Sequence, residues 1–529
     1  MILPIVKKHI VRDGYCAALD VISYSFDEGS DAARLGANAF ASFSPNARFE
    51  RDTAFVKFVP DFSLEERDEI YSVKISENGI IAGFRDERGA VNAAATVALL
   101  LLKDKLMLGE IIDYPSCSYR SIMIDMARGL PSEESINSTI KYMALAKYNK
   151  LHLHLTDSNG PCYASDAVPE YKFTGKGDVC NKDFLRRIGD LCSEYAIEVI
   201  PEIEIPSHAR ALCKARPDFI CEVENADTWT ICGASEGLWN FFEKFVAEII
   251  EIFPKSKYIH IGSDEIEFLD LPTKRFCHWD ECPRCARLRK KENLSDKRAE
   301  FYYIIEKMHE IVKSHGRKMI MWGDQIDVSK DVPLSRDILV EFWRVAGEGR
   351  GPCEGCSFEK LLEHGFTVIN AHYPYTYFDE EDYMNAEKLK TWTPFNEPEQ
   401  SPKYKNQVLG GEACAWEFGN ESYSFYDYVT PAAVPMFADK TWGLGEREYT
   451  REYKEALSEF MFGTKEFTEV FDYTGALIPP RSKDILTYAD KDSLSKSKLL
   501  KCSERMNEID GYPAASAYAK LLNKIADTI

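Results

Sequence analysis

No stretch of this 529-residue chain is apolar for long enough to span a membrane. The longest run, Ala90 to Leu102, covers about two-thirds of a span and contains Asn92 and Thr96. Met1 to Ile10 lacks the continuous apolar core of a secretory signal, because Lys7, Lys8 and His9 interrupt it. Both absences predict a cytoplasmic protein with no membrane partner. Positive charge is also scarce: 65 Lys and Arg stand against 86 Asp and Glu, a formal charge of -21. Such a surface repels phosphate backbones and argues against nucleic acid as a partner. An even cysteine count is missing too, since fifteen thiols cannot all pair, and reduced thiols are the default. Cys277, Cys282 and Cys285, followed later by Cys353 and Cys356, offer two C-x-x-C pairs of metal-ligand type. Neither is framed by the compact ribbon of a metal knuckle, so the expectation is free loop thiols, no disulfide, no metal and no cofactor. Oligomeric state is left open.

What is present is ordinary globular material, with 45% hydrophobic and 29% charged residues, which excludes extended disorder. The length exceeds what one small core supports. Residues 1–115 read as a small α/β unit. Tyr71–Ile75 alternates, Ser76–Gly79 is a hairpin turn, Ile80–Phe84 returns, and Gly89–Leu102 has the Ala/Leu content of a buried helix.

From Arg120 onward, short apolar runs alternate with longer amphipathic segments, the pattern of repeated βα units. Strands are predicted at Ser121–Met126, Lys150–Thr156, Glu198–Ile205, Tyr258–Gly262, Lys318–Trp322, Ile338–Trp343, Thr367–Ala371 and Gln407–Ala413. Eight such strands predict an α/β fold with a (β/α)8 barrel over 116–445, and a helical extension over 446–529. Helices are expected over Pro131–Tyr148 and Asp296–His315, whereas His372–Trp392 is irregular and aromatic.

Catalytic groups of such a barrel sit where its strands end. The predicted strands end in Asp157, Glu204 with Pro206-Ser207-His208, Ser263-Asp264-Glu265, Trp322-Gly323-Asp324, Trp343-Arg344 and Trp416-Glu417. Carboxylates for proton transfer beside flat aromatic faces compose a carbohydrate site. The adjacent Asp264 and Glu265 suit a general acid beside an ionised partner, although Ser-Asp-Glu also serves as a helix cap.

The segments Arg120-Ser-Ile-Met-Ile-Asp-Met-Ala-Arg128, Lys150-Leu-His-Leu-His-Leu-Thr-Asp157, Ile200-Pro-Glu-Ile-Glu-Ile-Pro-Ser-His208, His260-Ile-Gly-Ser-Asp-Glu265 and Gly410-Gly-Glu-Ala-Cys-Ala-Trp416 resemble glycoside hydrolase family 20, the β-N-acetylhexosaminidases. Order and spacing agree over roughly 115–445. The resemblance implies an exo-acting, retaining enzyme in which the substrate's own acetamido group is the nucleophile. It implies Glu265 as acid and base, Asp264 as partner of the acetamido N–H, and Tyr377 as donor to the acetamido oxygen. Asp157 and His208 would tune the acid, Arg120 and Asp379 would bind sugar hydroxyls, and Trp322, Trp343 and Trp416 would wall the acetamido pocket. Tyr373 and Tyr375 compete for the role of Tyr377; His208 and Trp343 also fit plain structural roles. Asp125 and Arg128 read as a structural ion pair under the barrel.

Three positions depart from the family pattern. Ser207 and Ser263 replace glycine, which is tolerated where φ is negative. Phe418 stands where the family places an acid, and Glu417 precedes it, so reading of the sugar's O4 and O6 is altered. Two other readings compete: a two-carboxylate glycosidase with Glu341 or Glu412 as nucleophile, and a non-catalytic sugar binder.

The Phe418 departure predicts activity on both gluco- and galacto-configured N-acetylhexosaminides. One hydrogen bond to a charged group is worth roughly 1.5–3 kcal/mol. Comparison of kcat/KM on the two chromogenic epimers checks it, and a preference beyond about a thousandfold would contradict it, since 1.4 kcal/mol is about tenfold.

Overall fold

The computed structural model describes residues 1–16, 21–103, 105–175, 178–266, 277–344, 356–378, 386–395, 402–416, 422–473, 477–478 and 495–527. Two bodies precede the C-terminal helices. In the first, seven strands lie in the spatial order Lys8–Cys16, Leu106–Asp113, Tyr71–Ser76, Gly79–Phe84, Val56–Pro60, Ser23–Phe26 and Arg48–Phe49. The predicted hairpin pairs Tyr71 with Phe84 and Ser76 with Gly79. Helices Asp31–Phe43 and Glu87–Leu100 pack against each other and the sheet; Ser30 and Asp86 cap their first turns. Gly36 permits that packing, because a Cβ there would meet Ala90 at 2.9 Å.

The second body is a closed parallel barrel. Its strands, numbered in order, are Tyr119–Asp125, Lys150–His154, Glu198–Glu202, Tyr258–His260, Lys318–Trp322, Leu339–Phe342, Thr367–Asn370 and Val408–Ala415. Each pairs in parallel with the next, and the eighth closes on the first through Gly411 opposite Arg120. All eight predicted strands are present, most shortened by a residue or more where a loop carries a polar group to the rim. The predicted helices appear as Glu133–Leu145 and Lys297–Ser314, capped by Ser132 and Asp296. Helix Ser422–Trp442 follows the last strand, and Arg451–Phe462, Lys496–Met506 and Pro513–Ala526 form the helical extension. No helix of the described residues is long and apolar enough to cross a membrane.

The barrel interior is layered. Tyr119, Ile200, Ile320, Leu339 and Ile369 make an apolar plug among the strand starts. Above it lies a polar layer that is wholly buried: His152, Glu202, His260, Glu341 and Glu412. Burial opposes charge on every member, and their partners decide the outcome. Burial alone would depress His152, but the carboxylates of Glu412 and Glu202 overcome it and hold it at about 9. His154 is likewise held well above the usual imidazole value by Glu202. Glu202 and Glu412 stay below theirs despite burial, because these imidazoles face them. Burial leaves His260 lowered and Glu341 raised, the latter pushed further by Glu412. Two imidazolium groups therefore balance two carboxylates.

Beneath the plug the two bodies are joined by buried charge. Arg120 donates to Glu69 of the small body and to the carbonyls of Lys147 and Cys117, while Arg88 reaches across to Tyr148. Burial would raise Glu69, but Arg120 and Arg88 bring it down to about 2. Lys147 is fully buried and meets Asp113 at 3.1 Å.

This placement corrects the sugar-binding role given to Arg120. It lies at the start of the first strand, with 1% of its side chain exposed, roughly 16 Å of strand away from the rim at Asp125. Arg120→Ala should cost about 3–5 kcal/mol in urea unfolding by stranding Glu69. KM measured on the folded fraction should stay unchanged; a raised KM without lost stability would return Arg120 to the substrate.

Candidate active site

Contacts at the C-terminal rim can be followed round all eight strand ends and back to the start. Asp264 and Glu265 follow strand four. The Glu265 amide donates to Asp324 after strand five (3.2 Å), which also accepts from Arg344 after strand six (2.7 Å). Arg344 lies over the ring of Trp343 (4.3 Å), and Trp343 stacks on Tyr377 beyond strand seven, with centroids 6.0 Å apart and planes at 11°. Tyr377 meets Trp416 after strand eight at 6.0 Å, and Arg128, after strand one, sits 5.1 Å over the Trp416 ring. Arg128 donates to Asp157 after strand two (2.7 Å), and Asp157 lies 2.8 Å from His208 Nδ1 after strand three. His208 Nε2 closes the circle, 3.6 Å from Asp264 and 3.7 Å from Glu265. Trp322 forms the floor.

Backbone strain gathers around the Asp264–Glu265 turn. His208, Ser263 and Glu265 adopt φ of 52°, 81° and 49°, each costing about 1 kcal/mol or more. The serine at 263 therefore does occupy a left-handed position. Its hydroxyl donates to Ile205 O (2.8 Å) and Ile261 O, while Ser207 donates to the carbonyl of Asp264, so both serines tie strand three to the catalytic turn. Gly262 is required: at φ 63° a Cβ would lie 1.9 Å from Glu204 Oε2. Burial, then the charge of Asp264, pushes Glu204 well above the carboxylate range.

The electrostatics favour a cation beside the acid pair. Burial opposes charge on His208, yet Asp157 and Asp264 raise it well above the usual imidazole value. Burial would raise Asp157, but Arg128 and His208 lower it well below the carboxylate range. Trp229, which the sequence did not single out, braces both residues: its ring lies 4.2 Å from His208 and its N–H donates to Glu265 O at 2.8 Å. Buried polar atoms on the rim without a hydrogen-bond partner among the described residues include Asp264 Oδ1 and the indole nitrogens of Trp343 and Trp416.

The structure thus gathers Asp157, His208, Asp264, Glu265, Trp343, Tyr377 and Trp416 at one rim. Trp322 is 1% exposed and spends its N–H on Glu202 at 2.8 Å, so it is a floor plate and not a wall. Tyr375 turns away to stack on Trp392, whereas Tyr373 packs beside Tyr377. Arg128 corrects the pair expected under the barrel: it does meet Asp125 (3.0 Å), but at the rim, where it takes the place expected of Arg120. Asp379, Glu417 and Phe418 lie outside the described residues. Glu341 and Glu412, the alternative nucleophiles, are wholly buried below the floor.

Proton-transfer groups beside indole walls suit cleavage of a glycosidic bond, and comparison with known proteins agrees. The chain belongs to glycosyl hydrolase family 20, whose catalytic-domain model matches residues 117–444. It is 28% identical over 400 residues to the mouse β-hexosaminidase subunit beta, covering 70% of each chain. It is 25% identical over 418 residues to a β-hexosaminidase of Porphyromonas gingivalis, covering 72% of this chain and 52% of that one. The fold matches the β-N-acetylhexosaminidase of Bacteroides fragilis with a TM-score of 0.71 at 22% identity, covering 87% and 94%. It also matches a Vibrio harveyi exo-β-N-acetylglucosaminidase solved with N-acetylglucosamine, with a TM-score of 0.69 at 21% identity, covering 83% and 73%.

The Asp157–His208 pair sets a pH window for stability. Asp157 is depressed on folding, so its contribution is present above about pH 3.9 and fades as pH falls toward the folded value. His208 is raised, so its contribution is full below about pH 6.5 and fades as pH climbs through the folded value. The unfolding free-energy difference between the wild type and Asp157→Asn should therefore be largest between about pH 4 and 6.5. A difference that grows steadily above pH 6.5 in urea titrations would contradict the pairing.

Proposed function

We propose that the protein removes terminal β-linked N-acetylhexosamine residues from a small or oligomeric glycoside, with retention of configuration and with the substrate's acetamido group as nucleophile. The observation that carries this reading is Asp264. Its Oδ2 faces the His208 cation while its buried Oδ1 has no partner among the described residues, which is an acceptor prepared for one N–H.

In the first step Glu265 donates its proton to the glycosidic oxygen while the acetamido carbonyl oxygen bonds to the anomeric carbon. The C–O bond to the leaving group breaks, and the aglycone departs as an alcohol. Positive charge develops on the acetamido nitrogen, where the Asp264 carboxylate accepts the N–H and stabilises it. Tyr377 supplies the phenol that steadies the acetamido oxygen, between walls of Trp343 and Trp416. In the second step Glu265, now a carboxylate, takes a proton from water as that water opens the ring at the same face. Arg128 is positioned to bind sugar hydroxyls. The His208 cation, fixed by Asp157, stands 3.6 Å from Asp264 Oδ2.

Complete burial of Glu341 and Glu412 favours this scheme over the two-carboxylate one, since neither reaches a sugar without the floor opening. A sugar-binding role alone gives no reason for the strained Glu265 and its relay. A reducing compartment, the cytoplasm, is part of the same proposal, supported by fifteen cysteines, an odd number that cannot all pair.

Glu265→Gln should lower kcat by at least about a hundredfold on substrates with poor leaving groups, and far less where the leaving group departs unprotonated. Equal losses across a series of aryl leaving groups, read by steady-state kinetics, would remove Glu265 from the acid role.

A further inference from the structure

Behind the acid pair, the loop after strand three and the loop after strand four are brought together by four cysteines that neither the catalytic chemistry nor the sequence pattern accounts for. The sequence suggested Cys282 and Cys285 with Cys353 and Cys356. Cys353 lies outside the described residues, and Cys356 is not in the group that forms. The structure instead sets Cys221 and Cys232 against Cys282 and Cys285, with all four sulfurs within 4.8 Å of one another and all four residues buried. Cys232 Sγ lies 3.8 Å from Cys282 Sγ and 3.5 Å from Cys285 Sγ, too far for sulfur–sulfur bonds. A tetrahedral zinc ion with Zn–S bonds of about 2.3 Å requires sulfur separations of about 3.8 Å on every edge.

The surroundings suit thiolates. Cys282 occupies the N-cap position of helix Pro283–Glu292 and Cys285 lies in its first turn, where the helix dipole favours negative charge. The Glu222 amide donates to Cys282 Sγ at 3.3 Å, and Arg284, between the two cysteines, is tied to the Asp218 and Ile220 carbonyls of the facing loop. Four buried neutral thiols would make an indifferent patch of core. Two pairs from separate loops, one of them C-x-x-C, converging on a single point make a chelate.

We propose that Cys221, Cys232, Cys282 and Cys285 bind one zinc ion that locks these two loops together, reversing the expectation of metal-free thiols. Trp229, which holds both His208 and the Glu265 carbonyl, is three residues before Cys232, so the ion anchors the bracket that orients the acid. The four cysteines are positioning residues and touch no substrate.

Elemental analysis of the full-length protein, purified under reducing conditions without added metal, should find one zinc per chain. Titration with an organomercurial in the presence of a chromogenic zinc chelator should release that zinc in step with modification of four thiols. Replacement by cobalt should give the intense thiolate-to-metal and d–d bands of a tetrahedral tetrathiolate site. Cys282→Ser combined with Cys285→Ser should abolish stoichiometric zinc and broaden the pH dependence of kcat more than it changes KM. Metal below about a tenth of an equivalent in the reduced wild type would overturn the proposal, given the affinity expected of a four-cysteine site. A ferric tetrathiolate chromophore, or disulfides joining these four residues in freshly isolated protein, would overturn it as well.

Discussion

Every ionisable group taken inside this barrel must meet an opposite charge or lose its own, and that requirement organises the site. The interior holds a carboxylate and imidazole layer where most barrels hold aliphatic side chains. Glu202 meets His154 and, at 2.9 Å, His260. His154 continues to Asp157 at 3.4 Å, and Asp157 to His208, which faces both Asp264 and Glu265. A charge at one point of this chain is answered at the next: Arg128 and His208 hold Asp157 low, Asp157 and Asp264 hold His208 high, and His154 links Asp157 to the layer below. Removal of one member leaves its partner charged and dry, which is costly.

The same principle explains why the site tolerates strain. Left-handed backbone at His208, Ser263 and Glu265 is held by hydrogen bonds that do not involve substrate: the two serine hydroxyls, the Trp229 indole and the Asp324–Arg344 pair. These contacts fix the backbone at Glu265, which is the preorganisation that the proposed acid role requires. Complete burial of Trp322 and Glu341 makes the floor rigid, and the indole walls stand on it.

Much of this was legible in the sequence. Apolar runs bounded by polar strand ends revealed all eight barrel strands, because parallel strands buried on both faces are largely apolar, even where His152 or Glu202 interrupts the run. The acid pair, His208, Asp157 and the tryptophans followed from their positions after those runs. The two arginines of strand one were not separable in the same way. Arg120 and Arg128 lie toward opposite ends of the strand, and only the partners, Glu69 against Asp157, reveal which of them stands at the rim. Trp229 and the Cys221–Cys232 pair sit in an irregular loop without period or motif spacing, so nothing local marked them. The repeat of C-x-x-C pointed to the wrong second pair because tertiary proximity, and not spacing, chose the partners of Cys282 and Cys285.

The central claim is that the acetamido oxygen is the nucleophile and that Asp264 serves it. Its most direct test is a series of aryl β-N-acylhexosaminides in which the acetyl methyl carries none, one, two or three fluorines. Fluorine withdraws electrons from the carbonyl without much change in size, so nucleophilic participation predicts a steep, regular fall in kcat/KM along the series. A rate that stays flat as fluorines are added would show that the carbonyl oxygen does not attack, and would contradict the account.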